Sequence, residues 1–253
     1  MFDQFSYDEY GRLLDMVKTG RENLCFSDFH DSDAPLRYFL LRHDVDFSPR
    51  AALKMARFEA QRGVRATYFL LLSSEHYNLL SEDSCSIPRQ LIALGHEVGL
   101  HYDVRAMGER ASEDLRAQLQ YEIYILSRLA GNAICSIAMH NPSAHGDDPF
   151  ANDTHFTSAY DPRFTKAIAY YSDSCGAWRD HAYYAFRESK IPDRLQLLIH
   201  PFFWAELPGN RWERLNTWVE ESGQKLSEYQ EQIRDLWLNH SGVREHENRL
   251  TRA

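Results

Sequence analysis

Five times along this chain, a short apolar run suited to a buried strand ends at an acid or a histidine. The runs hand over at Asp44 and Asp46, at His101 and Asp103, at His140, at Asp173, and at His200. Between them lie segments with helical spacing, and glycines stand where those segments stop. Strand, helix and strand joined by short turns are the mark of right-handed parallel crossovers. The expected fold is therefore α/β, and the C-terminal edge of its strands is where such folds build sites.

The first run is the most informative. Tyr38-Phe39-Leu40-Leu41 reads as a buried strand and continues into Arg42-His43-Asp44-Val45-Asp46. Side chains alternate along a strand, so Asp44 and Asp46 share one face and His43 points to the other. Two carboxylates on one face repel unless a cation or a shared proton sits between them. Arg42 shares the Asp44 face, to pair with a carboxylate or to hold an acidic group of a substrate. His43 reads as a hydrogen-bonded core residue.

The remaining elements follow in order. Helices are expected over 7–18, 49–62, 88–94, 112–129 and 212–238. Strands are expected over 36–46, 66–72, 97–101, 134–139, 168–171 and 195–199. Residues 150–164 read as a long loop over the site. The division is one domain over 1–253, with a helical lead-in at 1–35, a core at 36–201 and a helical region at 202–253, whose tail after Gly242 reads as disordered.

Composition narrows the partners. A formal net charge of -9 and the lack of a basic stripe argue against nucleic acid and anionic membrane. Four cysteines without a C-x-x-C pair suggest free thiols in a reducing compartment. No basic-then-apolar leader or bilayer-length apolar run stands out, so a cytoplasmic protein without a membrane span is expected. Oligomeric state is not legible.

Several segments together carry a family resemblance: Leu41 to Asp46, Gly63 to Phe69, Gly95 to His101, Ser172-Asp173-Ser174 with Trp178, and Leu197 to Pro201. In order and spacing, the chain from Arg37 to Pro201 resembles the polysaccharide deacetylases of the NodB-homology type. These are a carbohydrate esterase group (family 4-like), and the chain looks most like the intracellular branch linked to O-antigen and surface-polysaccharide assembly. The resemblance implies a single distorted (β/α)7-type barrel and hydrolysis of an N-acyl or O-acyl group on a sugar. The sugar could be free or linked to a nucleotide or lipid.

Residue by residue, the resemblance implies Asp44 as general base and Asp46 and His101 as ligands of a divalent metal. That metal is usually zinc, and cobalt, nickel and iron suit the same donors. It further implies His200 as general acid, supported by Asp173, and Trp178 as a wall of the acyl pocket.

One position departs. The family's second histidine, one turn after His101, is here Arg105, which cannot ligate a cation. His140 is the leading replacement and Asp103 the second, with Arg105 left to touch substrate. His96 faces away from His101 and reads as structural. Two other readings stand beside a deacetylase. One is a sugar-binding relative without catalysis or metal, favoured by the missing histidine. The other is a glycosidase, although its two acids would have to flank a bond, and Asp44 and Asp46 lie on one side.

Overall fold

The computed structural model describes residues 4–30, 32–106 and 112–239. Two compact units divide at Gly209: Met1–Gly209 and Asn210–Ala253. The tail after Gly242 lies outside the described residues.

In the first unit the strands are β1 (Glu22–Leu24), β2 (Tyr38–Val45), β3 (Thr67–Leu71), β4 (Glu97–Tyr102), β5 (Ser136–Met139), β6 (Thr157–Ser158), β7 (Ala169–Ser172) and β8 (Arg194–Ile199). The helices are α1 (Tyr7–Lys18), α2 (Pro49–Ala60), α3 (Ile87–Ala93), α4 (Ser112–Ala130) and the short α5 (Pro142–His145), α6 (Pro162–Thr165) and α7 (Asp180–Arg187). The second unit contains α8, Arg211–Asn239.

All strand pairings are parallel, in the order β6-β5-β4-β3-β2-β8-β7, with β1 added beside β2. This is the curled, open (β/α)7-type barrel that the resemblance implies, and it agrees with the alternation of strands and helices. β1 was not foreseen: three residues without alternation give no strand signal. It pairs with β2 over Tyr38 to Leu40, and β3 takes over from Arg42. β6 lies inside the expected long loop; two residues are below what periodicity can detect.

Strand parity places the site. On β2, Phe39, Leu41 and Val45 join the large core with the helices, whereas Tyr38 and Leu40 join a smaller cluster inside the curled sheet with Phe26, Phe69 and Phe164. The inward face of β2 therefore carries Arg42 and Asp44. On β4, Val98, Leu100 and Tyr102 belong to the outer core, which leaves Glu97, Gly99 and His101 inward. On β5 and β8, Ile137, Met139, Leu195, Leu197 and Ile199 are outward. Ala138 and His140, and Gln196 and His200, then face inward by the same period of two. Gly99 belongs to this inner face because a Cβ there would lie 2.5 Å from the Phe69 ring and 3.0 Å from the Ser136 carbonyl.

The outward His43 is buried in a polar knot. Its Nε2 lies 2.7 Å from Glu59 Oε1, and Tyr68 and Tyr10 also donate to Glu59. His96 is held by Ala66 N at 3.1 Å and Ala56 O at 2.9 Å. Both histidines are structural, fastening α1, α2, β3 and β4 beneath the site, as buried polar groups must find partners.

Candidate metal centre and acid pair

The C-terminal edge of the sheet gathers Asp46, His101 and His140. His101 Nε2 lies 3.3 Å from Asp46 Oδ1, His140 Nδ1 lies 3.5 Å from the same oxygen, and the two ring nitrogens are 3.2 Å apart. Register explains the meeting. His101 pairs with Ala138 on the neighbouring strand, so His140 follows two residues further along the same inward face. Asn141, which tolerates the left-handed region, takes φ 47° and turns the chain away after His140.

Tautomer and charge suit a cation. His101 Nδ1 is 2.8 Å from the Ala138 carbonyl, which can only accept, so the proton sits there and Nε2 presents its lone pair. Asp46 Oδ1 is buried and has no hydrogen-bond partner among the described residues. Burial alone would raise the Asp46 pKa, but His101 and His140 hold it well below the usual carboxylate range. Asp46 in turn raises the pKa of His140. The three separations agree with the edge of a tetrahedron of roughly 2.0–2.1 Å bonds, about 3.4 Å. An orphaned carboxylate oxygen between two imidazole nitrogens at these distances fits a divalent ion.

Arg105 is not among the convergent donors. Its side chain is 61 % exposed and its guanidinium pairs with Asp103 at 3.0 Å, so Asp103, the second replacement candidate, is engaged elsewhere. A cavity of about 400 Å³ opens over the site, lined by Asp46, Phe47, Ser73, Asp103, Arg105 and His140 among others. Arg105 thus stands at its mouth.

His200 approaches from β8. Its Nδ1 lies 2.7 Å from Asp173 Oδ1 and its Nε2 lies 3.9 Å from Asp46 Oδ2. Burial lowers its pKa, but the hydrogen bond and charge of Asp173, aided by Asp46 and Asp44, raise it to about 9. Asp173 is fully buried and saturated: the His200 backbone N–H donates to it at 3.0 Å, and Trp204 Nε1 donates to its other oxygen at 2.8 Å. Trp204 is a partner that sequence reasoning misses. An indole N–H reaching a carboxylate 31 positions away leaves no local signal.

Asp44 lies beside the same atoms, its Oδ2 3.7 Å from His101 Nε2. Arg42 clamps it, with Nε to Oδ1 and a terminal nitrogen to Oδ2 each at 2.8 Å. Burial would raise the Asp44 pKa, yet the Arg42 charge lowers it. Of the two expectations for Arg42, pairing with a carboxylate is the one realised. Its side chain has no exposed surface, held by Asp44, by Gln196 at 3.3 Å and by Tyr160 at 2.9 Å, so substrate cannot reach it. That corrects its expected substrate contact. Trp178 stacks among Phe5, Phe186 and Trp204, and its indole nitrogen has no partner among the described residues. It is not among the residues lining the cavity over Asp46.

No helix among the described residues is long and apolar enough to cross a membrane. No protein-family model matches the chain, and no curated protein sequence does either. Solved structures with a similar course include the Xyl-CE4 domain of a multidomain xylanase from the hindgut metagenome of Trinervitermes trinervoides. It is 14% identical, with 76% of this chain and 85% of that one covered and a TM-score of 0.46. A CE4 family pseudoenzyme from Bacillus anthracis is 16% identical over 86% of this chain and 78% of that one, at 0.45. The polysaccharide deacetylase Bc1974 from Bacillus cereus is 14% identical over 74% and 89%, at 0.42.

Proposed function

We propose that the chain is a metal-dependent carbohydrate deacetylase that hydrolyses an N-acyl or O-acyl group on a sugar during cytoplasmic steps of surface-polysaccharide or O-antigen assembly. The observation that carries the reaction type is the joining of three convergent ligands to a buried His–Asp pair at one sheet edge. The sugar comes from the sequence resemblance. Asp46, His101 and His140 would hold the ion, zinc first, with cobalt, nickel or iron as alternatives. A divalent ion bound there supplies Lewis acidity toward an acyl oxygen and lowers the pKa of a bound water to about 7.

The chain's own groups do the rest. Asp44, kept ionised by Arg42, accepts a proton from the attacking water. His200, kept protonated by Asp173, donates one to the departing amine or alcohol. Arg105 at the cavity mouth contacts the sugar or its linked group, and Trp178 backs the acid pair through Trp204. Acetate release from an N-acetylated amino sugar by the zinc-loaded protein tests this. Loss in both Asp44→Asn and His200→Ala supports it, and unchanged turnover in either removes that residue from the mechanism.

The Arg42 clamp favours one second reading. A carboxylate whose two oxygens both accept from a guanidinium is a weak base, which suits a sugar-binding relative without turnover. Saturable sugar binding with zinc present but no acyl release would select it.

A further inference from the structure

The second unit contains a feature the site does not use. On α8, apolar residues recur at Trp212, Leu215, Val219, Leu226, Tyr229 and Ile233, and in sequence at Leu236. The intervals alternate three and four, a strict heptad with only Ser222 polar among its eight seam positions. Trp212, Val219, Leu226 and Tyr229 are 63, 55, 70 and 62 % exposed. The positions farthest from the seam between Glu213 and Asp235 are all polar, including Glu220, Glu221, Gln224, Glu228 and Glu231. A repeat of 3.5, rather than 3.6, codes a seam against another helix and not a broad face on a sheet.

We infer that α8 pairs with α8 of a second copy of this chain as a parallel, two-stranded coiled coil. Two observations select that occupant. Val219 and Ile233 share the first-seam positions with Trp212 and Leu226, and Leu215 and Leu236 share the second-seam positions with Ser222 and Tyr229; β-branched residues at the first and Leu at the second favour two strands over three or four. The flanks fix direction. In a parallel pair Lys225 meets Gln230 and Trp218 meets Gly223 of the copy, with no like charges opposed. In an antiparallel pair Lys225 would face its own copy. The exposed area is that of a small interface. At ~150–250 Å² for each aromatic and roughly 100 Å² for each aliphatic, scaled by exposure, Trp212 to Ile233 offers on the order of 400 Å² per helix before Leu236 and the flanking side chains are added. That is near the low end of what specific interfaces bury on each partner.

Other observations turn away the alternatives. From Arg211 to Asn239 acids outnumber bases six to four, the wrong balance for an anionic lipid surface. Gly223 inside a 29-residue helix makes a lone helix costly, and packing along a seam is what offsets this.

The test is sedimentation equilibrium of the full chain at micromolar concentration. The expected mass is that of two chains, halving in the Val219→Glu/Leu226→Glu double variant and unchanged in the outer-face control Glu221→Gln. Near-ultraviolet circular dichroism of the barrel aromatics checks that the double variant still folds. If it does not, Leu226→Asn is read in its place. Leu215→Cys, oxidised beside the unsubstituted chain as control, should add a cross-linked dimer, because only a parallel pair brings the two positions together. A monomer, a dimer that both seam variants leave intact, or a monomer that cosediments with anionic vesicles through this helix overturns the proposal. A dimer without the Leu215→Cys cross-link overturns its parallel direction.

Discussion

His101 Nε2 and His140 Nδ1 lie 3.2 Å apart, although 39 positions separate the two residues. With its proton held on Nδ1 toward Ala138, His101 turns the lone pair of Nε2 to the space beside Asp46 Oδ1. His140 Nδ1 faces both that lone pair and the Asp46 oxygen, to which it can donate in the metal-free protein and beside which it would present its own lone pair to an ion.

Metal-stripped protein is expected to bind one zinc ion in a calorimetric titration. Asp46→Ala should abolish the binding. His140→Ala should cost more than the roughly 10–100-fold that loss of an outer hydrogen-bond partner costs, because it removes a ligand itself. Equal affinity in His140→Ala would return the third ligand to Asp103.

Arg105→Ala should leave zinc affinity unchanged and alter stability little, since an exposed ion pair contributes little. Its expected effect is a raised KM for the sugar substrate with kcat retained. Loss of zinc binding in this variant would place Arg105 in the support of the ion after all.

Arg42→Met roughly keeps the side-chain volume but leaves Asp44 buried without the guanidinium that clamps both of its oxygens. Breaking a buried pair from one side costs about 3–5 kcal/mol, so the chemical-denaturation midpoint should fall accordingly. The double change Arg42→Met/Asp44→Asn should recover part of the loss. No recovery would mean that Tyr160 and Gln196 contacts, not the Asp44 charge, explain the effect.

In metal-free protein the His200 imidazole should titrate near pH 9 by NMR, against about 6.5 for an ordinary histidine. Its pKa is raised by folding, so its stabilising contribution is complete below about pH 6.5. That contribution is lost as pH rises toward 9. Asp173→Asn should return the titration toward or below its ordinary value, since burial then acts without the opposing carboxylate. A His200 that still titrates near 9 in Asp173→Asn would shift the credit to Asp46 and Asp44.

Much of this protein is readable in one dimension because strands and helices carry periods. The alternation of apolar runs announced a parallel sheet, and parity along Tyr38 to Asp46 already separated Arg42 and Asp44 from His43. Local pattern also marked the ionisable strand ends. Three things were out of reach. β1 and β6 are too short for any period to register. The burial of Arg42 depended on Tyr160 and Gln196, brought inside by other strands. Which of His140 and Asp103 would stand beside Asp46 and His101 was open in the sequence because both end neighbouring strands. It turned on the β4–β5 register and on Arg105 occupying Asp103. A chain's own spacing determines which face a side chain takes. Which atoms then meet across that face is decided by strand pairing, through contacts between residues that lie far apart in sequence.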